Sequence, residues 1–158
     1  FPCIIARGFG GSNMNDLLYF SEALIIQYQP RAVAIYEGDN DIAQGISPEL
    51  ILKKFIALNN KLQYSLPDIR VYFISIKPSI ARQSMWPKMV ETNQLIQGKC
   101  NALQHCTYID VASKLLKDGL PKQDIFIDDG LHLNKKGYQL WSEAIVGVIE
   151  ANEADKNK

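Results

Sequence analysis

The sequence predicts an α/β fold, a three-layer α/β/α sandwich around a parallel sheet, and three observations carry that expectation. Short apolar runs of the kind buried on both faces alternate with amphipathic helical runs. The alternation is strict, which requires crossover connections and helices on both sides of the sheet. Glycines and ionisable residues gather just after the apolar runs, where such sheets place their sites. A chain of 158 residues can bury a core without staples. It reads as a single domain over residues 1–150 with a polar tail at 151–158.

Strands are expected at residues 3–6, 32–37, 71–76 and 107–111. Between them, residues 13–28 place Leu17, Phe20, Leu24 and Tyr28 on one helical face. A second helix opens with Ser47 as N-cap and Pro48 at the first helical position, and carries Ile51, Phe55, Leu58 and Leu62 as its stripe. A third spans about 87–104. The last follows Asn134 as N-cap and turns Tyr138, Trp141, Ile145 and Val148 inward.

Seventeen basic and seventeen acidic residues cancel, which argues against a nucleic-acid surface or a solvating acidic tail. Apolar runs such as ALII and FISI are too short to span a bilayer, so the expectation is a soluble, neutral protein. Three cysteines leave at least one thiol without a partner in the chain. Cys100 and Cys106 could bridge, although inert thiols are the default. His105 reads as a surface histidine rather than a metal ligand, because no ligand set stands at a usable spacing. The chain opens FPCIIAR without an initiator methionine. Its natural start is expected upstream, and the sequence is therefore silent on export.

Three loop motifs hold the chemistry. In GFGGS, Gly8 to Ser12, the third glycine of a dinucleotide fingerprint is replaced by Asn13, and no P-loop lysine follows. The turn can still aim backbone N–H groups at a developing negative charge. In GDND, Gly38 to Asp41, Asn40 can donate to an oxyanion, which an ionised aspartate cannot. The bland alternative is an Asx-type turn. In DDGLH, Asp129 stands three residues before His132. It could accept from Nδ1 and leave Nε2 as a general base. Together they make an oxyanion hole and a base with its orienter on one rim of the sheet.

In order and placement these blocks resemble the SGNH hydrolases, also called the GDSL esterase/lipase family. There is some likeness to small bacterial esterases of the platelet-activating-factor acetylhydrolase type. The resemblance implies a flavodoxin-like sandwich. It also implies Gly11 and Asn40 as oxyanion donors, His132 as catalytic base, Asp129 as its orienter, a small-molecule ester substrate, and no metal or organic cofactor. The family's first block, Gly-Asp-Ser with the nucleophile, does not occur here; the serine and the first strand of the sheet are expected upstream of Phe1. In a flavodoxin-like order that strand lies between the first two strands read here. Its absence should lower stability relative to an upstream-extended form. Ser12, Ser75 and Ser79 lack the G-x-S-x-G elbow.

The expected function is therefore a serine esterase or acyl hydrolase. A non-catalytic module binding an acylated lipid or glycan is the alternative, and a metal phosphohydrolase using Asp39, Asp41, Asp129 and His132 is the third reading. Arg82, Met85 and Trp86 follow the third strand, where pocket lining and loop packing account for them equally. Substrate identity, localisation and oligomeric state are not legible.

Overall fold

The computed structural model describes residues 4–154. Its main sheet has three parallel strands in the order β1 (Ala32–Ile35), β2 (Arg70–Ile74) and β3 (Cys106–Ile109). Val33 lies opposite Val71, and Val71 opposite Cys106. Along β2 the side chains alternate between two buried faces. Val71 and Phe73 enter the larger core, and Tyr72 and Ile74 the smaller, as a central parallel strand requires.

Helices α1 (Met14–Leu24), α3 (Pro48–Ser65) and α4 (Trp86–Asn101) cover the first face, and α5 (Lys135–Ala154) covers the second. Ser47 caps α3 by accepting from the Leu50 N–H, with Pro48 behind it. The whole predicted stripe of Ile51, Phe55, Leu58 and Leu62 is buried. Each such side chain contributes roughly 1.5–3 kcal/mol of burial. Asn134 likewise accepts from the Gly137 N–H at the start of α5. Among the described residues no helix is long and apolar enough to cross a membrane.

The structure corrects several expectations. Cys3 lies outside the described residues, and residues 4–6 are irregular and exposed rather than a strand. No neighbouring strand among the described residues takes their ladder hydrogen bonds, and β1 has an open edge that leaves Ala34 exposed. The first helix ends at Leu24 and tightens into a single 3₁₀ turn over Ile26–Tyr28; Phe20 and Tyr28 face solvent. Tyr138 is 51% exposed, because its position in the first turn of α5 overhangs the core that Trp141, Ile145 and Val148 reach. Helix α5 continues to Ala154, where Arg70 and Tyr72 both donate to Glu153, so residues 151–154 are helix. Residues 155–158 lie outside the described residues. Cys100 and Cys106, expected as inert thiols, are joined as a disulfide across the α4–β3 connection, Cα to Cα 4.8 Å.

Between β3 and α5 a two-stranded hairpin, β4 (Leu116–Lys117) and β5 (Leu120–Pro121), turns at Asp118 and Gly119, both at positive φ. Leu115, Ile125, Phe126 and Leu133 form a third small core beneath the loop leading into α5. The segment after β2 is held by the buried Asn93 of α4. Its Oδ1 accepts from the Ile76 N–H at 2.8 Å, and its Nδ2 donates to the Ile76 carbonyl at 2.9 Å.

Asn93→Leu would leave both backbone groups of Ile76 buried and unpaired. We expect a loss of roughly 2–4 kcal/mol in urea denaturation; an unchanged midpoint would show that the clamp contributes nothing.

Candidate active site

The first side of the site grows from the end of β1. Gly38 sits at φ 111°, and a Cβ there would come within 2.5 Å of Ile76 Cδ1. Only glycine can bring the chain round at this point. Beyond Gly38 the chain forms a five-residue helix, α2 (Asp39–Ala43), in place of the Asx-type turn. This helix sends its first three polar side chains in different directions. Asp41, fully buried, accepts from the Met14 N–H at the start of α1, at 3.1 and 2.9 Å. Burial raises its pKa, against the pull of that N–H. Asn40 donates through Nδ2 to the Ser12 carbonyl at 2.9 Å. Its Oδ1 accepts from both terminal nitrogens of Arg82, at 3.2 and 3.1 Å. Asp39 faces a cluster of cations.

Beside α2 lies the glycine turn. Gly11 has φ 79°, a left-handed backbone that favours glycine, although a Cβ there would meet nothing within 4 Å. Its neighbour Ser12 donates from Oγ to Glu37 Oε1 at 2.7 Å. Burial pushes the Glu37 pKa up to about 7; the Ser12 hydroxyl opposes this, and Asp41 and Asp16 reinforce it. The capping box of α1, formed by Asn13 and Asp16, fixes where the turn ends.

On the second side, the antiparallel bridge of Phe126 with Leu133 pinches off the loop carrying DDGLH. Asp129 Oδ1 accepts from the Leu131 and His132 N–H groups at 2.8 and 2.9 Å, while Oδ2 meets His132 Nδ1 at 2.5 Å. The His132 contact, then the two backbone N–H groups, bring the Asp129 pKa down to about 2. The pair is open to solvent, with the His132 side chain 65% exposed. This is the expected orientation, in which a carboxylate on Nδ1 leaves Nε2 outward.

Asp39 joins the two sides. Its Oδ1 accepts from Arg82 at 2.5 Å, and its Oδ2 from Tyr36 at 3.2 Å and Lys77 at 3.4 Å. Lys77 also donates to the Leu131 carbonyl at 2.9 Å, next to His132, and the Ala81 N–H donates to the Gly130 carbonyl at 3.0 Å. Burial lowers the Lys77 pKa, against Asp39. Burial, then the Asp39 charge, raises that of Tyr36 well above its ordinary value. The structure thus brings Asn40 directly to the glycine turn, and Asp129 directly to His132. Among the described residues no hydrogen bond runs from His132 to Asn40 or Gly11.

Sequence reasoning missed Lys77 and the ionic role of Arg82. Lys77, a charge directly after an apolar strand, was the available signal. Met85 and Trp86 pack against the larger core. The internal serines are committed elsewhere: Ser75 accepts from Val111 and Ala112, and Ser79 from Arg82. Asp39 and Asp41 diverge, and no three His, Cys, Asp or Glu side chains among the described residues converge as metal ligands. A cavity of about 500 Å³ between the hairpin and α5, lined by Lys117, Lys122, Asp124 and Lys136, includes none of the four predicted site residues.

A family model described as GDSL-like lipase/acylhydrolase matches residues 3–140. No curated protein matches the chain. Among solved structures, a proposed platelet activating factor from Streptococcus pneumonia superposes with a TM-score of 0.81 at 23% identity, over 91% of this chain and 71% of that one. A GDSL-like lipase from Bacteroides thetaiotaomicron gives 0.78 at 18%, over 94% and 76%. A carbohydrate esterase family 3 protein from Talaromyces cellulolyticus gives 0.78 at 20%, over 97% and 77%. At these identities the likeness is one of fold.

The raised pKa of Glu37 has a measurable consequence. Between its ordinary value of 4.5 and about 7, the folded chain holds a proton that the unfolded chain has released, so stability falls as pH rises through that window. Asp41 acts with the same sign. The thermal midpoint of Glu37→Gln should decline less than that of the parent between pH 4.5 and about 7; parallel curves would show that Glu37 ionises normally.

Proposed function

The chain belongs to the GDSL-like lipase/acylhydrolase family, a family of ester hydrolases, and we propose that it cleaves carboxylic esters by a Ser-His-Asp mechanism with His132 as base. The observation that carries this reading is the 2.5 Å contact of Asp129 Oδ2 with His132 Nδ1. It fixes the tautomer and leaves Nε2 to take a proton.

In this mechanism a serine, expected upstream of Phe1 from the order of the family's blocks, attacks the ester carbonyl carbon through Oγ as His132 Nε2 accepts its proton. The carbonyl π electrons move onto oxygen, and the Gly11 N–H and the Asn40 Nδ2 receive that oxyanion. Collapse of the tetrahedral species breaks the bond to the alcohol oxygen, which leaves with the proton from His132. Water, deprotonated by the same nitrogen, then attacks the acyl carbon. Collapse of the second tetrahedral species breaks its bond to serine Oγ, which takes the proton back from His132 as the acid is released. Asp129 stays ionised throughout, because its pKa lies at about 2, and it balances the imidazolium that forms twice per cycle. No step calls for a metal or an organic cofactor.

The test is hydrolysis of p-nitrophenyl acetate by protein expressed from the whole of its coding sequence. His132→Ala should lower kcat about 10⁴-fold or more, and Asp129→Ala about 10³–10⁴-fold. Asn40→Ala should lower it about 10²–10³-fold with little change in KM. Full activity in His132→Ala, with an unchanged circular dichroism spectrum, would remove the mechanism.

A further inference from the structure

Within this reading, and resting on it, we propose that Arg82 is a positioning residue for the oxyanion site, holding the Asn40 amide with its donor end toward the glycine turn. The oxygen and nitrogen ends of a primary amide are nearly the same size, so sterics alone do not choose between its two orientations. Here the surroundings choose. Both terminal nitrogens of Arg82 donate to Asn40 Oδ1, and the Ser12 carbonyl accepts from Asn40 Nδ2. The flipped amide would set its NH₂ against a guanidinium and its oxygen against a carbonyl, so two attractive contacts would become two repulsive ones.

The amide nitrogen carries two hydrogens. The Ser12 carbonyl takes one, and the other remains for an oxyanion. A neutral amide held this way is already in place before charge develops on the substrate, which is the condition for lowering a barrier rather than merely binding.

Arg82 is itself held. Its Nη1 donates to Asp39 Oδ1 at 2.5 Å, and its own backbone N–H donates to Ser79 Oγ at 3.2 Å. The fork therefore spans a carboxylate and an amide oxygen at once. Lysine has a single nitrogen and cannot reproduce that geometry. Asp39 also balances the guanidinium charge, so the site offers the substrate an oriented N–H rather than a bare cation. Arg82 acts through Asn40, so the rates of the two variants should be coupled.

The experiment is a double-mutant cycle on p-nitrophenyl acetate hydrolysis, again with protein from the whole coding sequence. Arg82→Met should lower kcat about 10–100-fold with KM within about twofold. It should add less than about threefold once Asn40→Ala is present. Arg82→Lys keeps a cation beside Asp39, which guards against loss of fold, yet should still lower kcat about tenfold for want of the fork. Equal losses from Arg82→Met in both backgrounds would overturn the inference. So would a parental rate in Arg82→Met while Asn40→Ala is slow, which leaves the oxyanion assignment standing. A parental rate in Asn40→Ala would instead remove the oxyanion assignment, and this inference with it.

Discussion

Taking a carboxylate out of water is costly unless cations and hydrogen-bond donors meet it. Asp39 is only 9% exposed, and it meets that demand with Tyr36 from the end of β1 and with Lys77 and Arg82 from the segment after β2. Lys77 reaches on to the Leu131 carbonyl in the loop before α5. Three loops that share no sequence neighbourhood are thereby pinned to one charged centre. The placement of Asn40 and of the His132 loop depends on satisfying it.

The scaffold beneath explains why the pinning is accurate. Strand β2 is buried on both faces, and Asn93 fastens its continuation through Ile76. Lys77 therefore departs from a fixed point. Beneath the other loop, the small core of Leu115, Ile125, Phe126 and Leu133 sets its height. Supports of this kind fix the Asn40 side and the His132 loop in place, and under the proposed mechanism electrostatic stabilisation would depend on such preorganisation.

Much of this was legible in the sequence. The central strands announced themselves as unbroken apolar runs, and Ser47 with Pro48 and Asn134 marked helix starts that the structure has in place. The pairing of Asp129 with His132 was legible because it is local, three residues apart. The cluster around Asp39 was not, since its two cationic partners, Lys77 and Arg82, lie 38 and 43 residues away and no periodicity encodes that distance. Helix α2 was too short to show a hydrophobic repeat. The strand expected at residues 3–6 illustrates the opposite failure. An apolar run states a preference, but a strand also needs a neighbour to accept its hydrogen bonds, and among the described residues it has none.

In the proposed mechanism His132, oriented by Asp129, activates a serine lying ahead of the glycine turn. The most direct measurement is to treat protein from the whole coding sequence with a fluorophosphonate and locate the adduct by peptide mass spectrometry. One phosphonylated serine, N-terminal to Phe1, is expected, with its labelling lost in His132→Ala. Labelling at Ser12, Ser75 or Ser79, or labelling that survives the loss of His132, would contradict it.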